Sequence, residues 1–216
     1  MQSFVKNAGL VVAFGLTTLL TFSCRPKKSD TVRDNKDSVL ALGDNPYQSR
    51  DQSPLDISYC PDDYPQQKMK GLVTAPPVAR VIYSRPHKKG RVIFGNEPAS
   101  LCQYGKPWRL GANESTEIQF FQPVMIGGHN VDVGRYNLYC IPHADKWEIV
   151  FNSNLDSWGL HIDSTKDLFR TEVPVQSQSP SIEDFTMVFR EASDGAELLM
   201  AWDNAMVLLP VVYSRQ

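Results

Sequence analysis

The chain contains no Gly-x-Ser-x-Gly elbow, no phosphate loop and no dinucleotide fingerprint, so serine hydrolase and nucleotide chemistry have no motif behind them. Its four histidines, His87, His129, His143 and His161, lack the close spacing by which one strand or helix offers two metal ligands; no metal and no cofactor is expected. His161 and Asp163 would share a strand face, which alone is an ordinary surface pair. No Cys-x-x-Cys pair occurs, which sets aside a redox motif or zinc knuckle. Basic stripes and arginine runs are missing from the body of the chain, arguing against nucleic acid and against a polybasic membrane patch. Apolar residues at helical spacing are also scarce.

The N-terminus does hold a long uncharged run, Asn7 to Ser23, which follows a single charge, Lys6, and ends in Thr21-Phe22-Ser23-Cys24. A basic start, an apolar core and a small residue before the cut are the parts of a secretory signal. The run's seventeen residues, two of them glycine, sit at the low limit for spanning a bilayer, so an uncleaved anchor is the weaker alternative. Cysteine directly after Thr-Phe-Ser resembles a bacterial lipobox, with Thr21 in place of the usual leucine. The expectation is a lipoprotein signal peptide at 1–23 and an acylated Cys24, whose chains hold the membrane at about 0.8 kcal/mol per buried methylene. Arg25-Pro26-Lys27-Lys28 follows where surface-exported lipoproteins often carry an acidic run, which points to the bacterial cell envelope, on the outer membrane and facing the periplasm.

Without the leader, 21 of the 22 basic residues stand against 24 acidic ones, a formal charge of −3. The remaining length suits one domain and a tether. Residues 24–71 are rich in Lys, Asp, Ser, Gln, Asn and Pro and cannot bury a core; they are expected to form a disordered tether reaching about 35 to 40 Å. Leu55 to Cys60 is a candidate for packing on the domain edge. Cys60, Cys102 and Cys140 remain once Cys24 is acylated, an odd number that forbids full pairing. An oxidising periplasm allows a Cys60–Cys102 bridge, while Cys140, in a strand-like run, reads as a small core residue.

Beyond Gly71 the pattern becomes that of strands. Candidates are 78–84, 91–94, 116–121, 124–126, 135–141, 147–151, 167–175, 185–190, 196–202 and 205–209, short runs of branched and aromatic residues. Gly127-Gly128, Asp194-Gly195 and Asp203-Asn204 carry the chemistry of tight hairpins. Such spacing predicts an all-β fold, an antiparallel β-sandwich or jelly-roll-like domain over 72–216. In 135–141, Tyr136, Leu138 and Cys140 alternate against Arg135, Asn137 and Tyr139, and a tyrosine just after a turn glycine suits a Greek-key corner.

The densest chemistry lies between Tyr83 and Thr116, where Arg85, Arg91, Trp108, Arg109, Asn113 and Glu114 sit on loops between strands. The chain here resembles a bacterial family labelled a domain of unknown function, number 2911, frequent in exported proteins of Bacteroidetes. The matching motifs are Tyr-Ser-Arg-Pro at 83–86, Lys-Gly-Arg at 89–91, Ile-Phe-Gly at 93–95, Tyr-Gly at 104–105 and Trp-Arg-x-Gly-Ala-Asn-Glu-x-Thr at 108–116. Ile126-Gly127-Gly128, Gly134-x-Tyr136-x-Leu138, Ile141-Pro142, Trp147 and Trp158-Gly159 keep the family's order. The chain departs from it at Val133, where alanine is usual, and in an insertion-like stretch at 96–102. The resemblance brings no activity.

Three readings stand open. In the first, Arg85, Arg91 and Arg109 clamp an acidic group while Trp108 offers its face to a sugar, and Asn113 and Glu114 complete a site for a polar or acidic small molecule or glycan. Its structural competitor is an ion-pair network closing the end of the sandwich, with Trp108 in the core. The second is an envelope hydrolase using Glu114, although the second carboxyl needed for glycoside hydrolysis is missing. On one strand Glu117 would face the opposite way, and nothing in the sequence brings Asp132, Asp145 or Asp156 close. The third is a structural partner in envelope assembly.

Overall fold

The computed structural model describes residues 53–213. The expected signal peptide, the acylation site Cys24 and the tether up to residue 52 lie outside the described residues. No helix among the described residues is long and apolar enough to cross a membrane.

Strand β1 (Leu55–Cys60) and a short helix α1 (Tyr64–Met69) precede β2 (Ala79–Ser84). Two minimal strands follow, β3 (Phe94–Gly95) and β4 (Cys102–Gln103), then β5 (Thr116–Phe120) and the hairpin of β6 (Val124–Ile126) and β7 (His129–Val131). The chain ends in β8 (Gly134–Pro142), β9 (Lys146–Asn152), β10 (Asp167–Pro174) and two long strands, β11 (Gln176–Ala192) and β12 (Gly195–Tyr213). One sheet runs β1-β2-β5-β8-β9-β10, the other β11-β12-β6-β7, and all their pairings are antiparallel. The fold is the expected all-β sandwich.

Period-two alternation builds the core. Val81 and Tyr83, Ile118 and Phe120, Leu138 and Cys140, and Trp147, Ile149 and Phe151 point inward from one sheet; Phe185, Met187, Phe189, Leu198, Met200, Trp202, Val207 and Leu209 answer from the other. Each large side chain removed from water contributes about 1.5 to 3 kcal/mol before entropic costs. Tyr136 donates its hydroxyl to the Asp132 carbonyl at 3.0 Å, closing the corner that its place after Gly134 suggests.

Several expectations change. Leu55–Cys60 lies within the stretch read as tether but, as its candidacy for the domain edge anticipates, it forms the edge strand, pairing with β2 along its whole length; Ser58 Oγ accepts from the Phe189 amide at 3.2 Å, joining this edge to β11. Main-chain pairing made the strand where apolar content alone did not. Only Phe94 of the expected strand 91–94 is in a strand. Asp203-Asn204 is not a hairpin: Asp203, with φ +54 inside β12, faces the stretch where β11 bulges with extra residues, and its carboxylate takes bonds from Lys88 and Ser181. β11 begins nine residues early, because Gln176 to Asp184 is polar and gave no apolar alternation. Cys60 and Cys102 are both free; Cys60 meets the Tyr213 hydroxyl at 3.2 Å, while Cys102 and Cys140 lie in the core.

On the outer face of β9, Glu148 pairs with His143 at 2.8 Å and Arg170 at 3.2 Å. The His143 hydrogen bond is the main cause holding the Glu148 carboxyl below its ordinary 4.5, against a raising effect of burial and with help from Arg170. A depressed carboxyl stabilises the fold above its unfolded value and loses that contribution as pH falls through the folded one. Glu148→Gln is therefore expected to cost about 1 kcal/mol at pH 7, and the gap from the parent chain to close towards pH 3, in urea denaturation at the two pH values.

Candidate functional site

The motif at 108–116 is an extrusion from the six-stranded sheet. β5 and β8 pair with Thr116 opposite Leu138, and continuing that register would set residue 114 opposite Cys140. Cys140 instead exchanges both backbone bonds with Trp108, at 2.7 and 2.8 Å, and the Gly105 amide bonds the Pro142 carbonyl at 2.8 Å. Residues 109–114 are pushed out as a loop. Leu110 and Asn113 take φ +54 and +58, and Gly111 takes φ +157 where an added Cβ would lie 2.9 Å from the Ser84 carbonyl oxygen. Thr116 Oγ1 and Trp108 Nε1 bind the Leu110 and Gly111 carbonyls at 2.7 and 3.2 Å and fix the loop from inside.

A second loop braces the first. Asn137 and Asn152 stand opposite each other on β8 and β9, both buried on the outer face. Asn137 Nδ2 bonds the Asn154 carbonyl and Ser157 Oγ at 3.1 and 3.0 Å, and Asn152 Nδ2 bonds the Asp163 carbonyl and Asp167 Oδ1 at 2.9 and 2.8 Å. These amides pin the chain that follows β9 to the sheet. Its residues 157–159 then form a small antiparallel ladder with 113–115: Ser115 N bonds Ser157 O, Gly159 N bonds Asn113 O, both at 3.3 Å, and the two serine hydroxyls meet at 3.0 Å. Glu114 and Trp158 are the facing pair between those bonds. Side chains of such a pair stand on the same side, about 5 Å apart at Cβ.

Two clefts flank this ladder. The first, about 420 Å³, lies on the outer face of the sheet and is lined by Leu55, Ile82, Glu114, Glu117, Arg135, Asp156 and Trp158. Arg135 binds Glu117 at 2.6 Å and Asp156 at 2.9 Å, and the Asp156 amide adds a 3.3 Å bond to Glu117. Trp158 is 50% exposed, whereas Trp108, Trp147 and Trp202 are at most 8% exposed. The second cleft, about 520 Å³, is lined by Lys106, Trp108, Arg109, Gly159, Leu160 and neighbours from 100–107. Arg109 passes under Gly159, where an added Cβ would sit 2.1 Å from its Cδ. Burial lowers the Arg109 pKa, with Cys102 and Glu114 opposing that shift, and Nε is buried without a hydrogen-bond partner.

The six residues singled out in the sequence do not converge. Arg85 pairs with Asp56 at 3.1 Å, and Arg91 bonds the carbonyls of His87 and Lys88. Trp108 is no sugar platform: its indole packs between both sheets against Phe94, Trp147, Phe185 and Trp202. Asn113 serves the ladder through its backbone, Arg109 lines the second cleft and Glu114 the first. Glu117, read as facing away from Glu114, lines the same cleft, because Glu114 lies before β5 and pairs with Trp158 instead of continuing the sheet register. Asp156 joins them. Trp158, Arg135 and Glu117 were missed as site residues. The available signal was a tryptophan in Ser153–Ser164, a stretch without strand pattern, where an indole has no sheet face to bury it. No group of three or more His, Cys, Asp or Glu among the described residues is placed to hold a metal.

The family described as "Protein of unknown function (DUF2911)" matches residues 65–211, well over half of the chain, and the chain belongs to that family. No curated protein and no solved structure matches the chain.

One measurement checks this arrangement of the tryptophans. Acrylamide is expected to quench a single minor component of the native fluorescence, and Trp158→Phe to remove that component while leaving the near-UV dichroism of the buried indoles intact.

Proposed function

We propose that the chain is a lipid-anchored protein of the bacterial cell envelope, held through Cys24, whose β domain binds a glycan in the Trp158 cleft. The observation that carries the binding reading is the facing pair Glu114 and Trp158 on the wall of an open cleft. An exposed indole offers a flat apolar face to the C–H face of a sugar ring, and carboxylates beside it accept hydroxyl hydrogens through several lone pairs. Glu114, Glu117 and Asp156 outnumber Arg135, so the cleft favours neutral or amino sugars over acidic ones.

A hydrolase is the second reading, favoured by the presence of Glu114 and Glu117 in one cleft. Glycoside hydrolysis uses one carboxyl as acid or base and the other as nucleophile or base. Here Glu117 is held by Arg135 and the Asp156 amide, and the Asp156 carboxylate is itself paired with Arg135, so both candidate partners of Glu114 are engaged, which supports binding over turnover.

Calorimetry and saturation-transfer NMR against neutral oligosaccharides and amino sugars are expected to show binding that Trp158→Ala weakens about thirtyfold, near 2 kcal/mol. Absence of binding across the panel, or affinity untouched by the substitution, sinks the reading. Release of reducing ends that Glu114→Gln abolishes would replace it with the hydrolase. For the anchor, mass spectrometry of the mature N-terminus is expected to find an acylated Cys24; an unmodified chain beginning at Met1 would overturn that assignment.

A further inference from the structure

The second cleft has the opposite electrostatic character from the first. Two cations, Lys106 and Arg109, line it, and no carboxylate does. Arg109 takes part in none of the ion pairs among the described residues, although Glu114, on the far side of the ladder, acts on it at longer range. Partly burying a guanidinium without a close counter-charge is unfavourable, and burial is the main cause that lowers the Arg109 pKa, with its Nε buried and unpartnered. The cost is imposed by construction: the Trp108 backbone is locked to Cys140, and Gly159 lets the next side chain pass beneath it into the cavity. Beside these cations the lining is mixed, with Ser100 and Gln103 as well as an apolar group of Leu101, Pro107, Leu160 and Ile162; Leu101 and Leu160 are 46% and 67% exposed at the mouth.

We propose that this cavity binds a small organic oxyanion, a carboxylate or phosphate head carried on an apolar body, with the head on Arg109 and Lys106 and the body against Leu101, Leu160 and Ile162. A planar guanidinium matches the two oxygens of a carboxylate or phosphate, and the ammonium adds a point charge. The apolar mouth gives the ligand a reason to enter that a free inorganic anion lacks. The site is independent of the glycan cleft, from which the turn at Trp158–Leu160 separates it.

The test is backbone-amide NMR of the full chain titrated with hexanoate, hexyl phosphate, inorganic phosphate and hexanol. Hexanoate or hexyl phosphate is expected to shift amides in 100–109 and 159–162, and the tighter of the two identifies the head group. Inorganic phosphate and hexanol, each lacking one half of the ligand, bind at least about tenfold more weakly. Arg109→Gln lowers affinity about tenfold or more, and Lys106→Glu, at an exposed position that spares the fold, does so as well. Trp158→Ala leaves this binding in place, so loss of the glycan site and loss of the anion site are separable. No shift with either amphiphilic anion at about 10 mM, a response to hexanol equal to theirs, or affinity unchanged in the Lys106 variant overturns the proposal.

Discussion

The structure around both clefts depends on the seating of Trp108. Its ring is held by Phe94 and Trp147 on one side and by Phe185 and Trp202 on the other, so it ties the two sheets together at their end. Its backbone occupies the place beside Cys140 that β5 would have filled, and its indole N–H holds the Gly111 carbonyl. Packing of this kind is worth several kcal/mol, as large-to-alanine changes of buried aromatics show at about 3 to 5 kcal/mol. That is more than enough to impose the unfavourable backbone angles that follow it. From this fixed point the chain can leave only outward, and residues 109–114 emerge with Arg109 on one side of the ladder and Glu114 on the other.

The opposing loop is held by a different device. Buried amides are costly unless their donors are used, and Asn137 and Asn152 each spend both Nδ2 hydrogens on the chain that follows β9. Aliphatic residues at these positions would cover the sheet equally well but could not address a loop backbone. The ladder between 113–115 and 157–159 is thus suspended between an apolar anchor and a polar one, and the two clefts inherit their shapes from it.

Strand alternation made the sandwich legible in the sequence, since half-buried strands write their inward face at every second residue; Tyr136, Leu138 and Cys140 are the clearest case. Polar strand extensions such as 176–184 left no such record. The site was less legible for a specific reason. The cluster between Tyr83 and Thr116 stands out by residue type and proximity along the chain, yet the extruded loop sends Arg109 and Glu114 into different clefts, and Arg85 finds Asp56 on β1. The partner of Glu114 is Trp158, forty-odd residues away, brought there by the two asparagines opposite each other on β8 and β9 and by the bonds of Asp156 to Arg135 and Glu117. Trp108 and Trp158 are the same side chain with opposite roles, decided by whether a sheet face is available to cover the ring.

The segment around Gly105 and Trp108 also has a protective consequence. β8 runs on to Pro142 past the start of β5, and its mostly buried stretch Tyr139 to Pro142 would otherwise present unpaired amides and carbonyls to the surroundings. Such edges recruit strands from other molecules and seed aggregation. By folding its own chain back onto that edge, the protein satisfies the pairing internally, in the manner of a donated strand, and denies it to its neighbours.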